Sequence, residues 1–152
     1  MIHAQNTAIQ QVIDPIATAG STTAEEIDTV GYDYALVLVI VGALNTNATA
    51  FEIQESDESG SGFALITGAD FDGGTDIDGA TLALPTAASG DNKVYAFEID
   101  LRGRKRYLKP VITFGGSTTA VGCVAILSRA AESPVTTAQR SLASSLGGVC
   151  RI

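Results

Sequence analysis

Asp28-Thr-Val-Gly-Tyr-Asp-Tyr-Ala-Leu-Val-Leu-Val-Ile-Val-Gly-Ala-Leu44 is followed, after the connection Asn45-Thr-Asn-Ala-Thr49, by Phe51-Glu-Ile-Gln-Glu-Ser-Asp57. The first segment enters from a polar turn, runs through valine, leucine and isoleucine, and breaks at Gly42. The second alternates, with Phe51 and Ile53 on one side and Glu52 and Gln54 on the other. Two such strands joined by a short polar connection predict a β-meander. Tyr32–Val41 is apolar on both of its faces. A half-buried strand should alternate, so this one is expected to be central, its outer face covered by another layer or by a neighbouring subunit.

Working outward, strand-like segments recur between turn-rich clusters. Ala8–Ala17 reads as a first strand ending near Pro15, within an N-terminal arm or strand (1–18), and Glu26–Thr29 as a short one. Phe63–Thr67 and Thr81–Leu84 are further short candidates. Val94-Tyr-Ala-Phe-Glu-Ile-Asp-Leu101 has the cleanest period of two, with Tyr95, Phe97, Ile99 and Leu101 on one face. Tyr107–Phe114 contains Pro110, which cannot donate to a ladder, and is expected at an edge or a bulge. Ala120–Arg129 is the last long strand. From there a Ser/Thr/Ala-rich C-terminal tail (130–152) follows, in which Thr136–Leu146 reads as helical or extended.

Seven to nine short strands with turn clusters between them predict one all-β domain over 1–152, an antiparallel β-sandwich. Jelly-roll and immunoglobulin-like topologies both fit, and strand order is not recoverable from the pattern. At 152 residues the chain is long enough for one self-sufficient core. Only 17% of it is charged, below the roughly 25% of ordinary soluble chains, which suggests that a partner covers part of the surface. The net charge of −8 argues against nucleic-acid binding, which needs a basic face. No basic segment leads into an apolar run at the N-terminus, and the longest apolar run, Ala35–Val41, is far short of a membrane span. Cys123 and Cys150 make neither a disulfide framework nor a zinc pattern. They read as reduced thiols of a protein made in the cytoplasm, with a bridge between them left to geometry.

Catalytic chemistry is hard to assemble. The single histidine, His3, sits near the N-terminus, and no phosphate loop, metalloprotease motif or dinucleotide fingerprint occurs. The chain is therefore expected not to be an enzyme, and to need no cofactor. Asp70-Phe-Asp-Gly-Gly-Thr-Asp-Ile-Asp-Gly79 offers Asp70, Asp72, Asp76 and Asp78 as oxygen ligands for calcium. It departs from the EF-hand, with Gly74 at position five and Thr81 at position twelve, and Asp/Gly turns are the ordinary alternative. Arg102, Arg104, Lys105, Arg106 and Lys109 put five of the nine basic residues into eight positions. They are candidates for docking on an acidic partner surface or a neighbouring copy, against the simpler reading of a charged turn that guards a sheet edge. Tyr32 and Tyr34 share one side of their strand and are expected in the core with the phenols at its margin. A sugar-stacking platform is the alternative.

Asp28–Ala35, the Phe51–Asp57 strand, Phe63-Ala-Leu-Ile-Thr-Gly68, Arg106-Tyr-Leu-Lys-Pro-Val-Ile-Thr-Phe114, its Gly-Gly turn and the apolar final strand together resemble the capsid decoration, or cement, proteins of tailed bacteriophages. The likeness covers roughly 19–129 and consists of strand-and-turn patterns. It implies a jelly-roll-like β-sandwich and a homo-oligomer, dimer or trimer. The role it implies is a virion subunit on the capsid exterior, made in the host cytoplasm, that clamps neighbouring major capsid proteins without catalysis, nucleic acid or membrane. The alternative function is a ligand- or carbohydrate-binding sandwich of a phage fibre or tail, stabilised by calcium at Asp70–Asp78.

Overall fold

The computed structural model describes residues 6–76 and 78–131. Eight strands follow one another: β1 (Ala8–Thr18), β2 (Ile27–Asp28), β3 (Tyr32–Val41), β4 (Ala48–Ser56), β5 (Ala64–Asp70), β6 (Lys93–Asp100), β7 (Tyr107–Phe114) and β8 (Thr119–Ala130). They form two antiparallel sheets, ordered β1-β8-β3-β6 and β2-β7-β4-β5. The pairings β1·β8, β2·β7, β3·β6 and β4·β5 are those of one long hairpin of eight strands. Rolled up, it closes each sheet with β3·β8 and β4·β7. That is the jelly-roll arrangement, so of the two topologies the pattern left open, this one holds. No helix among the described residues is long and apolar enough to cross a membrane.

The predicted meander is not formed. β3 lies in one sheet between β8 and β6, and β4 lies in the other between β7 and β5. Both ladders of β3 are occupied, by Leu38↔Val124 on one side and Leu38↔Ala96 on the other. The Asn45–Thr49 connection therefore carries the chain across the sandwich. β3 is indeed interior to its sheet, as its unbroken apolar run requires.

The two prolines settle differently. β1 runs through Pro15 to Thr18 instead of ending there, because the ladder to β8 shifts register between Gln11 and Ile13 and again between Ile13 and Ile16. On an edge strand this bulged stretch leaves no ladder bond for the proline to break. β7 is one strand in from an edge. Its outer neighbour is only the two-residue β2, then an isolated bridge from Ser21 to Thr113. Pro110 lies between those two points, where its missing N–H costs no pairing. Thr81–Leu84 forms no strand beyond a single bridge from Thr81 to Thr75. Thr136–Leu146 and Cys150 lie outside the described residues.

The core fills the gap between the sheets. Ala35, Val37, Val39 and Val41 point inward from β3, and Val121, Cys123, Ala125 and Leu127 from β8. From the facing sheet come Phe51, Ile53, Leu108, Ile112 and Phe114. At the β5/β6 side the packing is aromatic. Phe51 meets Phe71 and Tyr95 edge-on at 5.2 and 5.1 Å, and Phe71 meets Phe97 edge-on at 5.2 Å. Such contacts add to area burial because a ring edge is positive and its face negative.

Phe51 is 1% exposed at the centre of that cluster. Replacing it by alanine removes the transfer energy and leaves a cavity among the rings of Phe71, Tyr95 and Phe97, so Phe51→Ala should cost about 3–5 kcal/mol. Urea unfolding monitored by circular dichroism measures this directly; a loss below about 1 kcal/mol would show that the cluster relaxes freely instead of packing rigidly.

Candidate functional site

Three surfaces carry the residues singled out above. The first is the open side of the sandwich. At the opposite side the chain entering β2 ties the layers together, with Glu25 N–H donating to Val12 O at 2.8 Å and Gln10 Nε2 to Glu26 O at 2.8 Å. Between β5 and β6 the sheets part around an open cleft of about 1080 Å³. Ile66, Phe71 and Phe97 give it an apolar wall, and Asp70, Glu98 and Arg104 stand along it.

The acidic loop lies at this cleft, but its carboxylates are used locally. Asp70 Oδ1 accepts from Gly74 N–H at 2.9 Å. Asp76 Oδ1 accepts from the N–H groups of Asp78 and Ala80 at 3.0 and 2.7 Å. These are Asx-type turns, the short side chain capping the backbone of its own loop. The turn is so tight that a Cβ at Gly74 would stand 2.1 Å from Asp70 O, which only glycine tolerates. Asp72 and Asp78 are exposed. Among the described residues no three His, Cys, Asp or Glu side chains come together as metal ligands.

The basic segment forms the β6–β7 turn, and three of its five cations have carboxylate partners. Arg102 Nε bonds Asp100 at 2.9 and 3.1 Å. Arg104 reaches Glu55 at 3.5 Å, and the Lys105 N–H also donates to Glu55 at 3.1 Å. Arg106 grips Asp28 through Nε and one terminal nitrogen at 2.9 and 2.7 Å. Its guanidinium also lies 5.0 Å from the Tyr107 ring centre, and Lys109 Nζ lies 5.5 Å from that of Phe63. The bond from Arg102 holds the Asp100 carboxyl well below the usual carboxylate range. For Asp28 the Arg106 bond lowers the pKa first, partial burial opposes it, and the Val30 N–H adds to the lowering. The turn is thus stapled to β2 and β4. The Arg102–Asp100 and Arg106–Asp28 pairs are exposed, so each adds little to stability, whereas Glu55 is largely buried beneath Arg104.

The third surface was only half visible in the sequence. On the outer face of the β1-β8-β3-β6 sheet, the register aligns Ile126 with Leu36 and Val124 with Leu38, and places Ile40 against Val94. Ile40 is 50% and Val94 60% exposed. Gly122 completes the last row, and Pro15 of the β1 bulge packs over it, 3.4 Å from where a Cβ would be. Tyr34 stands on this face as well, hydrogen-bonded to Glu98. It is not a core aromatic, whereas Tyr32 does pack against the core. Parity could have placed Tyr34 outward, with Leu36 and Leu38 and opposite the inward Ala35 and Val37, but Tyr32 has the same parity and packs against the core from the first position of β3. The other sheet differs. Its outer rows pair Glu52 with Val111 and Gln54 with Lys109.

No family model matches the chain, and no curated protein does. Among solved structures it is similar to the SPBc2 prophage-derived protein YomS, with a TM-score of 0.45 and 14% identity. That match covers 79% of this chain and 94% of the other.

Two outcomes follow from the local chemistry. Folding lowers the Asp28 pKa, so the ion pair's contribution is complete above the unfolded carboxyl's ordinary 3.8 and is lost as pH falls through the lower folded value. Wild type and Asp28→Asn should therefore differ slightly in melting temperature at neutral pH and converge in acid, once pH has fallen through the folded carboxyl's lowered value; a gap that stays equal throughout would assign the effect to something other than this pair. Cys123 is 1% exposed, and burial pushes its thiol up to about 12. It should resist alkylation in the native protein and react only on unfolding, as mass spectrometry of iodoacetamide-treated protein would read.

Proposed function

We propose that this protein is a structural subunit of a tailed-phage virion, seated on the outside of the capsid and clamping neighbouring major capsid proteins. The carrying observation is the resemblance over roughly 19–129 to capsid decoration proteins, whose implied jelly-roll architecture is the one this chain adopts. In this reading the molecule is no enzyme and uses no cofactor. It works by adhesion, made in the host cytoplasm and resident on the finished head.

The physics suits that task. Packaged DNA loads a head outward, and symmetry presents the same docking site many times. Clamps of modest individual strength then add to a large stabilisation through multivalency. What such a subunit needs is stiffness, and the aromatic and aliphatic core between two paired sheets supplies it. It also needs charges that recognise a partner surface. The Arg102–Lys109 turn is a local positive feature on a chain of net charge −8. Its exposed pairs with Asp100 and Asp28 can be traded for carboxylates of the major capsid protein at little cost.

The test is co-sedimentation with expanded, DNA-free heads of the source phage at physiological salt. Wild type should pellet with the heads in saturable, symmetric stoichiometry. Lys105→Glu with Lys109→Glu, which leaves the pairs to Asp28, Glu55 and Asp100 in place, should weaken binding about tenfold or more without lowering the melting temperature. Undiminished binding would take these two lysines out of the interface. Failure of wild type to bind heads at all would end the reading.

A further inference from the structure

We propose that the outer face of the β1-β8-β3-β6 sheet is a self-docking surface, on which a second copy of this chain packs face to face about a two-fold axis. The proposal goes beyond the capsid reading and stands without it. It starts from the contrast between the two sheets. One outer face carries Glu52, Gln54 and Lys109, as a solvated sheet should. The other carries the rows Ile126–Leu36, Val124–Leu38 and Val94–Ile40, with Glu98 in register with Leu36 at the β6 edge. Ile40 and Val94 stand at least half exposed in the single chain.

Three arguments name the occupant. The first is charge. At net −8, two copies repel wherever their charged surfaces meet, and the Val124–Leu38–Ala96 and Ile40–Val94 rows are where they can touch without opposing like charges. The charges lie at its margin instead, Glu98 and Asp100 following Val94 and Ala96 along the outward side of the edge strand β6, both exposed. An apolar centre within a charged rim is the ordinary anatomy of a protein interface.

The second argument is area. With strands about 4.8 Å apart and about 3.3 Å per residue, four strands over six or seven positions offer roughly 400–450 Å² in plan. Two such faces with their side-chain relief bury on the order of 1,000 Å² together, the lower bound for a specific interface. The third is shape. A flat, regular sheet face packs readily on another sheet, as the two layers of the sandwich itself do. When the two faces are the same surface the contact is isologous and closes at two copies.

Sedimentation equilibrium of the full chain at tens of micromolar should then give twice the 15.6 kDa chain mass, and the melting temperature should rise with protein concentration. Ile40→Lys with Val94→Lys places new cations on both copies at once. Both positions are solvent-exposed, so the subunit should keep its far-ultraviolet circular dichroism. The dissociation constant should rise about 100-fold or more, and the concentration dependence of melting should vanish. Leu65→Lys, 45% exposed in wild type and on the other sheet, should leave the dimer intact. A wild-type monomer or trimer overturns the proposal. So does a dimer that tolerates Ile40→Lys with Val94→Lys or is broken by Leu65→Lys. A monomer that those two lysines destabilise also overturns it, because the face would then be covered within one chain.

Discussion

A two-layer sandwich has only one inside, and β3 is apolar on both faces. That mismatch governs the rest of the structure. The inward set, Ala35, Val37, Val39 and Val41, is buried against the facing sheet. The outward set, Leu36, Leu38 and Ile40, has no layer above it within the described residues. Of its neighbours across both ladders, Val124, Ile126, Ala96 and Val94 are apolar too, Gly122 has no side chain, and only Glu98, opposite Leu36 on the edge strand β6, is charged. One misplaced leucine would be ordinary; a register-matched block on one sheet and not on the other is a property of that surface.

How much of this was legible in the sequence depended on the range of the interaction concerned. Strand existence is local: the period-two run at Phe51–Glu55 lies within β4, and that at Val94–Leu101 coincides with β6 up to Asp100. Strand order is not local. Ile9 pairs with Ile126 and Ala35 with Ile99, across stretches of chain that carry no signal of their partners. Where a local rule was applied, that a short polar connection joins paired strands, it failed at Asn45–Thr49. Both sides of β3 had been taken by strands from much later in the chain. Pro15 shows the converse. Proline excludes a regular ladder, yet a bulge on an edge strand admits it, and only the pairing shows that β1 is an edge.

The candidate sites were legible as clusters but not as environments. Five cations in eight positions are plain to see. The partners Asp28 and Glu55 are supplied by β2 and β4, 78 and 49 residues away from Arg106 and Arg104. Those pairs turn much of the patch into a staple for its own turn. The alternating aspartates looked like a ligand set because their spacing is regular. In the fold, Asp70 and Asp76 turn inward on their own backbone, since a short carboxylate two to four residues from an N–H reaches it more easily than it reaches a distant neighbour. Tyr34 is the instructive miss. Its aromatic character pointed to the core, while its parity with Leu36 and Leu38 pointed outward, and inside the strand parity prevailed; Tyr32, of the same parity, packs against the core only from the first position of β3.

These features divide the surface between two kinds of contact. An apolar sheet face gives strength that salt scarcely weakens, since it depends on area removed from water. A turn whose arginines are held in exposed pairs gives recognition that salt does weaken and that another carboxylate can replace. The two lie on separate parts of the fold: the hydrophobic rows on one sheet's outer face, the cations on the β6–β7 turn tied to the opposite layer through Glu55. A subunit built this way can have one contact occupied while the other stays free. Repeated adhesion requires such a separation. A copy bound through the sheet would leave its charged turn exposed, and a two-fold pair would then present two of them from one rigid body. Engagement of the first turn raises the effective concentration of the second, so weak, exchangeable ion pairs can hold firmly without any single strong site.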